Sequence, residues 1–543
     1  MVQVLPARLQ ARDRRPQQPQ VQSRSYPPPI RGLVTNEAMI TQGQGIARLI
    51  DNFRVTQETI EPRGGSNWRV STTSSAAVKQ LLAYTAAGSE KYFAAAATTV
   101  APFTDATADE TVLTADITGQ TSGVYSWVNN TTSGGSYLTI VNGDDSPQIY
   151  SGSTWQAITG VSSPIAITGV TTSDLSYVWL YRNRQFFIEG GTLSAWYLGT
   201  NSVGGAATEI PLASVFNRGG SLLFGATLSS DSGDGMDDRC VFVTTEGEAA
   251  IYHGGDPSSS TDWSLDGVYD IGKPLGAHAH ERVSGDLLVA TTTGLIPLRA
   301  AIQHDASMLA GHALTRPIEG DWRLQVLSGG AAVDWRVIVW DEKNELIVAP
   351  VTANAPATFL WVMNLTTNAW YRWTGWEASA IAVFGDGLHF GGTDGKVYEG
   401  DVGGQDAGST FVCRLALAFD ELDIPGSYKT AHGVQARWMH QFPINPQHSV
   451  AADNVIDFPV PPAVASAVTN NAGSLWDVAL WDVALWASGN DPLDYVNWRR
   501  WTQSGKQGRN LAIQAQVTSG ASYKLPLRLI GFDLTYTVGA VYA

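Results

Sequence analysis

The stretch RCVFVTTEGEAAIYHGGDPSSSTDWSLDGVYDIG, residues 239–272, decides the fold. Residues 241–244 alternate in the way that a pleated strand requires, with side chains on two faces. Gly247 supplies a turn because glycine tolerates a positive φ, and a second short strand follows at 250–252. Large aromatic residues then resume the pattern at 263–271. The stretch therefore predicts short antiparallel strands joined by tight loops.

Strand signals of the same kind recur from about residue 68 to residue 399. They fall into sets of three or four strands at roughly 40–55-residue spacing, as in radially repeated folds. Residues 359–373, FLWVMNLTTNAWYRW, give a strand, a turn and an aromatic strand, much as a kelch-type blade does. We predict a mainly β protein with a β-propeller of about six or seven blades at 66–420. A pair of sheets packed as a sandwich is the alternative.

One region interrupts the β pattern. Ile302, Ala306, Leu309 and Ala313 lie on one face of a helix. Pro317 is expected to end that helix. We therefore predict a small helical insertion near residues 299–322 that projects from the propeller.

The two ends of the chain differ from the middle. Residues 1–65 are expected to form an extended N-terminal arm and a lead-in, since 1–31 are rich in Pro, Gln and Arg. The arm carries Arg12, Arg14 and Arg15, which would dock on a neighbouring subunit or an acidic surface. A tail without contacts is the alternative.

The predicted C-terminal β-rich platform domain covers residues 421–543. Within it, SLWDVALWDVALW places Trp476, Trp481 and Trp486 five residues apart. Five-residue spacing forms no single stripe on a helix and alternates faces on a strand. We interpret the three tryptophans as anchors of an irregular segment and as candidate assembly contacts.

Composition limits the function. Charged residues make up 15% of the 543 residues, against roughly 25% in an average soluble domain. Partners could hide much of the surface, or Ser, Thr, Asn and Gln could replace charge on it, and both readings stay open. The net charge of −16 argues against broad binding to a phosphate backbone but is compatible with DNA sliding past an acidic wall.

The two cysteines, Cys240 and Cys413, lie in apolar runs, so buried free thiols are expected rather than a disulfide framework. No apolar run approaches the ~18 residues that span a bilayer. The basic N-terminus lacks the apolar core of a secretory signal. We therefore predict synthesis in a cytoplasm.

Two features could hold metal ions. The acidic turn Asp231–Asp238 contains Asp231, Asp234, Asp237 and Asp238, but Gly233 stands where a calcium loop needs a carboxylate. The same turn resembles a sialidase Asp-box, except that Met236 replaces an aromatic residue. An acidic turn without catalysis is favoured, and cation binding there stays open.

His278 and His280 alternate on a strand and could ligate a metal, but no third ligand is evident, so a surface or interface position is favoured. None of the common nucleophile, phosphate-loop or zinc motifs occurs in the sequence. A pair of glycosidase carboxylates distant in sequence is not excluded, although nothing selects one. We expect no catalytic, cofactor-binding or metal residue, and no enzyme activity.

The sequence resembles structural proteins of tailed bacteriophages over most of residues 26–500. The likeness is carried by aromatic, glycine and acidic landmarks rather than by a catalytic signature. They are YPPPIRGL (26–33), ARLIDNFRVTQETIEPRGG (47–65), DSGDGMDDRCVFVTTEGEAAIYHGGDP (231–257), WSLDGVYDIGKPLG (263–276), GDLLVATTTGLIPL (285–298), FLWVMNLTTNAWYRWTGW (359–376), GLHFGGTDGKVYEGD (387–401) and LAFDELDIPGSYKT (417–430). Size and the propeller pattern are most similar to the tail hub, or nozzle, of short-tailed phages.

That resemblance implies a virion tail protein without a cofactor, assembled in the host bacterial cytoplasm. Its expected partners are copies of itself in a ring of typically six, tail adaptor proteins and tail fibre proteins. Genomic DNA would pass through the ring without specific binding during ejection. The alternative function is a glycan-binding or glycan-cleaving propeller of a tail fibre or depolymerase, and a monomeric propeller with another binding role is a third.

Overall fold

The structure is a computed structural model that describes residues 20–36, 44–229, 238–329, 334–352, 355–440, 444–464, 496–520 and 523–539. Strands form 51% of it and helices 7%. The prediction of a mainly β protein is confirmed. No helix in these ranges is both long enough and apolar enough to cross a membrane.

Five strands precede the first blade. They are β1 (Gln22–Tyr26), β2 (Ala47–Asp51), β3 (Phe53–Val55), β4 (Ile60–Pro62) and β5 (Gly65–Ser71). β1, β2, β4 and β5 pair with strands from much later in the chain, and β3 pairs with β4. The described part of the lead-in is therefore built into the body of the protein.

Four blades follow in chain order. Blade 1 contains β6 (Val78–Ala86), β7 (Ser89–Ala96) and β8 (Thr99–Phe103), followed by the short β9 (Thr111–Val112). Blade 2 contains β10 (Ser126–Thr132), β11 (Gly135–Val141), β12 (Gln148–Tyr150) and β13 (Trp155–Ala157). After β14 (Ile167–Thr168) and a 3₁₀ turn at Thr172–Asp174, blade 3 contains β15 (Leu175–Tyr181), β16 (Arg184–Glu189), β17 (Ser194–Tyr197) and, beyond β18 (Gly205–Ala206), β19 (Thr208–Pro211). Blade 4 contains β20 (Leu222–Leu228), β21 (Arg239–Thr244), β22 (Glu248–His253) and β23 (Ser264–Asp270).

A shorter sheet and a helical insertion come next. The sheet contains β24 (His280–Val283), β25 (Asp286–Thr291) and β26 (Gly294–Pro297). The helices are α1 (Leu298–Gln303), α2 (Leu309–His312) and α3 (Glu319–Gly329), with 3₁₀ turns at Ala306–Met308 and Arg316–Ile318.

Two more blades complete the ring. Blade 5 contains β27 (Arg336–Trp340), β28 (Glu345–Ala349), β31 (Phe359–Asn364) and β32 (Ala369–Thr374), with a 3₁₀ turn at Asp341–Lys343 and a small hairpin of β29 (Val351–Thr352) and β30 (Ala355–Pro356). Blade 6 contains β33 (Ala380–Phe384), β34 (Gly387–Gly391) and β35 (Lys396–Val402). Its outer strand is β5, which pairs antiparallel with β35 and so closes the ring with residues that precede blade 1.

Together these sheets form a β-propeller around a central channel. In blades 2 to 6 a fourth strand lies outside the third strand. In blade 1 that place is taken by Ile117, which forms an isolated bridge with Val100 of the third strand. In the sheet β24–β26 the helical insertion takes that place. The innermost strands β6, β10, β15, β20, β24, β27 and β33 all face the channel. The predicted propeller of six or seven blades is confirmed, and the sandwich alternative is wrong.

The stretch 239–272 forms the three strands expected of it, β21 to β23. Its alternation does not separate a wet face from a dry one, because residues 240–244 are all buried. A blade is packed between two neighbours, so both faces of a central strand are covered. Burial raises the pKa of Cys240 and, to about 12, that of Cys413, and both are free thiols.

The helical insertion is confirmed, but it is not one continuous face. Leu309 and Ala313 are buried, whereas Ile302 is 36% exposed. The helical period does not continue from Ile302 to Leu309, because α1 ends at Gln303 and His304 is extended. Pro317 does not end the insertion. It lies early in a 3₁₀ turn, where proline needs no N–H, and this turn leads into α3, the longest helix.

The C-terminal domain continues the sheet of blade 5. Its strands are β36 (Phe411–Leu417), β37 (Lys429–His440), β38 (Gln447–Ala452), β39 (Val496–Gln503), β40 (Gln507–Gly508), β41 (Leu511–Ser519) and β42 (Leu527–Val538). After β32 the sheet of blade 5 runs on through β2, β36, β41 and β38. A second sheet has the order β3-β4-β42-β37-β39, and β1 also pairs with β42. One apolar core lies between the two sheets and reaches blade residues such as Tyr371 and Trp373.

Buried ion pairs join the lead-in to both the propeller and the C-terminal domain. Arg54 on β3 donates to Glu345 of blade 5 at 2.5 and 3.1 Å and to Asp401 of blade 6 at 2.9 Å. Lys524 also lies 3.3 Å from Asp401. Burial opposes ionisation of Asp401, yet Arg54 and Lys524 hold its pKa below the usual range.

Arg63 makes a second buried contact of this kind. It is fully buried, and it donates to both oxygens of Asp406 at 2.9 and 2.7 Å. Its guanidinium carbon lies 4.4 Å from the ring centre of Trp376 and 4.0 Å from that of Phe411. Lead-in, propeller and C-terminal domain therefore form one packed body.

We expect Gly225→Ala to destabilise the contact between blades 3 and 4. A Cβ on Gly225 would lie 2.4 Å from the indole ring of Trp179, so one of the two inner strands must shift. Overpacking of this kind costs about 1–3 kcal/mol of the free energy of unfolding, which urea denaturation measures. Gly311→Ala is the matched control, since no atom lies within 4 Å of its added Cβ. Equal stability of the two variants would contradict the expected clash.

Candidate functional site

The central channel opens into a cavity of about 590 Å³. Inner strands of every sheet in the ring contribute to its wall, and most of the wall is apolar or backbone. The polar side chains on it are those of Gln80, Tyr177, Thr227, His278, His280, Glu281, Arg282 and Arg336. Six of these eight are titratable, which makes the channel the candidate site.

His278 is held by acceptors on both ring nitrogens. Nδ1 lies 3.0 Å from a carboxylate oxygen of Asp334, and Nε2 lies 3.0 Å from the backbone carbonyl oxygen of Tyr125. The imidazole ring therefore bridges the Asp334 carboxylate and the backbone of the segment that enters blade 2.

Arg336 completes this cluster. Its guanidinium lies 3.2 Å from Asp334 and donates to the Gln80 side chain at 2.5 Å and to the Lys79 carbonyl at 3.0 Å. Burial alone would raise the pKa of Asp334, but Arg336 and His278 hold it well below its usual range. The cluster ties β27 to blade 1 and, through His278, to the segment that enters blade 2.

His280 lies on a separate contact. Its ring stacks on Phe224 at 3.9 Å and 6°, and Nε2 lies 3.2 Å from the hydroxyl of Tyr177. Burial, followed by the charge of His278, lowers the pKa of His280 to about 3, so the ring is neutral. The two histidines thus face different partners inside the channel, contrary to the expected surface position. Within the described residues no group of three or more His, Cys, Asp or Glu could hold a metal.

Glu281 faces the channel with a carboxyl group whose pKa lies well above its usual range. Burial raises its pKa to about 7, and the charge of Asp341 adds to the shift. The backbone N–H of Arg282 donates to the carboxylate at 3.0 Å and opposes the shift. Glu281 can therefore exchange a proton within the cavity at physiological pH.

We expect Glu281 to lower the free energy of unfolding of the protein as the pH rises from 4.5 to 7. The folded state holds this proton up to pH about 7, whereas the unfolded state releases it near 4.5. Folding is therefore favoured below that window and loses the contribution as the pH rises through it. Glu281→Gln stays neutral, so relative to the wild type it should gain roughly 2–3 kcal/mol from pH 4.5 to pH 8.

Thermal unfolding at both pH values measures this difference. Glu246→Gln is the control, because Glu246 is exposed and pairs with Lys273 at the surface. A Glu281→Gln profile parallel to the wild type would contradict the assignment.

The sequence singled out His278 and His280 but missed Tyr177, Asp334 and Arg336. One signal could have found the last two: charged residues flank the aromatic residue of 334–336, immediately before an apolar inner strand. The other predicted residues are not tested. Arg12, Arg14, Arg15, Trp476, Trp481, Trp486, Asp231, Asp234 and Asp237 lie outside the described residues. Asp238 is described and buried, and its backbone carbonyl accepts from Tyr181 at 2.9 Å.

The chain matches no protein-family model, and no curated protein matches its sequence. Solved structures do match. The computationally designed Ika8 protein is 10% identical, with a TM-score of 0.35, over 62% of this chain and 99% of that one. BBS1N in complex with ARL6DN is 9% identical, with a TM-score of 0.36, over 63% and 97%. Saccharomyces cerevisiae Sqt1 is 9% identical, with a TM-score of 0.34, over 62% and 98%. These are likenesses of fold alone.

Proposed function

We propose that this protein is a virion structural protein, the nozzle or hub of a short-tailed bacteriophage tail. Copies of the chain form a ring, with six as the expected number, that extends the DNA ejection channel below the adaptor. The same ring seats the tail fibres. The chain acts without catalysis and without a cofactor.

The observation that carries the proposal is the fusion of the propeller with the C-terminal domain. The sheet of blade 5 is joined to four further strands through the pairing of Arg372 on β32 with Asp51 on β2. Arg54 and Arg63 bury their charges at the same junction. A ring subunit must keep its parts in fixed orientation to bear load during ejection. A continuous sheet and buried ion pairs supply that rigidity, which a pair of domains on a linker would lack.

The distribution of charge supports the same proposal. Residues 66–420 contain 17 Lys and Arg against 36 Asp and Glu, whereas the rest of the chain contains 17 against 14. An acidic propeller repels the phosphate backbone, and this favours passage of DNA over binding. The flanking segments hold half of the basic residues and can contact acidic propellers of neighbouring copies.

We expect the purified chain, alone or with tail adaptor protein, to form a closed ring. Mass photometry should show a species near six times the 58.1 kDa monomer, and negative-stain images should show a central opening. A chain that stays monomeric with the adaptor, and is absent from purified virions, would contradict the proposal.

Deletion of residues 1–19 tests the basic arm. The cut must stop there, because Tyr26 is buried and β1 pairs with β42. We expect the shortened chain to unfold at the wild-type temperature but to bind adaptor or neighbouring copies more weakly, since it loses Arg12, Arg14 and Arg15. Pull-down with adaptor measures the effect, and a deletion without effect on binding would remove the arm from the assembly.

A glycan-cleaving propeller is the second candidate, and one observation favours it. The channel wall carries Glu281, whose pKa burial raises to about 7, and His278 of the same wall contacts Asp334, whose pKa is held below its usual range. Carboxyl groups with separated pKa values are what acid–base cleavage of glycosides requires. Release of sugars from host surface glycans by the wild type, and its loss in Glu281→Gln, would establish this activity.

A further inference from the structure

Strand β39 forms an edge of the second C-terminal sheet. It pairs with β37 along all eight of its residues, from Val496 opposite His440 to Gln503 opposite Gly433. Within the described ranges, no strand pairs with its other side. A free edge of this length offers unpaired backbone donors and acceptors to another chain.

The register shows which residues present that edge. Ser504 donates its backbone N–H to the carbonyl of His432 at 3.1 Å. In an antiparallel ladder, bonded and non-bonded pairs alternate, so the backbone groups of Arg499 and Trp501 point away from β37. Both residues are exposed.

Trp501 gives this surface an apolar centre. Its side chain is 49% exposed and lies over Gly433, where an added Cβ would stand 3.2 Å from the indole ring. Tryptophan and arginine are the residue types that most often dominate the energy of protein interfaces. The exposed face of the Trp501 indole ring, which lies flat over Gly433, can therefore pack against a side chain of a partner.

Charge on the strand indicates the chemistry of the partner. Arg499 lies directly opposite Arg437, an arrangement that costs stability unless anions are near. Arg437 has Asp533 at 3.7 Å, but no carboxylate among the described residues forms an ion pair with Arg499 or Arg500. Among the described residues, this surface therefore lacks negative charge to balance Arg499 and Arg500.

We infer that β39, with Arg499, Arg500 and Trp501, is the surface through which one copy docks on the acidic propeller of a second copy. The propeller, with 36 acidic against 17 basic residues, is the complementary surface that every neighbouring copy supplies. Edge strand and propeller are different surfaces, so the contact is head-to-tail, the type that generates a ring when its rotation closes. The inference rests on the proposed ring and names the contact that builds it.

The test compares two variants of the full chain with matched controls. Trp501→Ala and the double variant Arg499→Glu/Arg500→Glu should each raise the dissociation constant between copies by about 30-fold or more. Tyr428→Ala, an exposed aromatic residue of the same domain, and Lys273→Glu/Lys343→Glu, two basic residues of the propeller, should change it by less than about threefold. Sedimentation velocity at several concentrations measures assembly, and thermal unfolding checks that each variant is folded.

The outcomes separate this inference from the proposed function. If all variants assemble like the wild type, the ring stands and β39 is not its contact surface. If the wild type itself stays monomeric at every concentration, both alone and with tail adaptor protein, both the inference and the proposed homomeric ring are wrong. Loss of assembly in the β39 variants alone supports the inference.

Hydrogen exchange of residues 496–503 distinguishes a second copy from cover by the same chain. Protection that rises with protein concentration in the wild type, and does not rise in Arg499→Glu/Arg500→Glu, supports docking of a second copy. Protection that is the same at every concentration means that the chain covers its own edge, and this result would overturn the inference.

Discussion

The buried guanidinium of Arg54 is the contact on which the arrangement of the chain depends. Its partners Glu345 and Asp401 lie 291 and 347 residues away in sequence, on two different blades. Burial of a charge is costly, and the cost is offset only when every partner is in place. The lead-in, blades 5 and 6 and the C-terminal domain therefore stabilise one another. If one of them is displaced, a buried charge in the others loses its partner. Arg63, with Asp406, Trp376 and Phe411, repeats the same requirement a few residues later.

Local features of the fold were predictable because their causes are local. Alternating apolar residues and glycine turns indicated β21 to β23 within a few residues of their true bounds, and a helical period indicated the insertion. The pairing of β5 with β35 and of β1 with β42 was not predictable, because each joins segments hundreds of residues apart that carry no shared pattern. The prediction that Pro317 ends the helix was wrong for a related reason. Proline is unfavourable inside a helix but favourable at its start, and the sequence alone did not show which of the two positions Pro317 occupies.

The residues of the channel site were likewise predictable only where their causes are local in sequence. The spacing of His278 and His280 drew attention to this segment, but their contacts depend on Asp334, Tyr125 and Phe224, which only closure of the ring brings near. The two histidines are two residues apart, His278 just before β24 and His280 at its start, yet one ring is held between two acceptors and the other is stacked and neutral. Sequence spacing sets which face a side chain occupies, whereas protonation is set by neighbours from other blades.

Closure by β5 also governs when the chain can fold. On the ribosome β5 emerges early, yet its partner β35 is made about 300 residues later, a delay of tens of seconds at ordinary rates of synthesis. Strand β1 waits longer still, since β42 ends at residue 538 of 543. Strands of the early blades therefore keep exposed edges until β35 and then β42 have been synthesised. Unpaired strand edges of this kind can pair with other chains, so the time before ring closure is when the nascent chain is most exposed to aggregation.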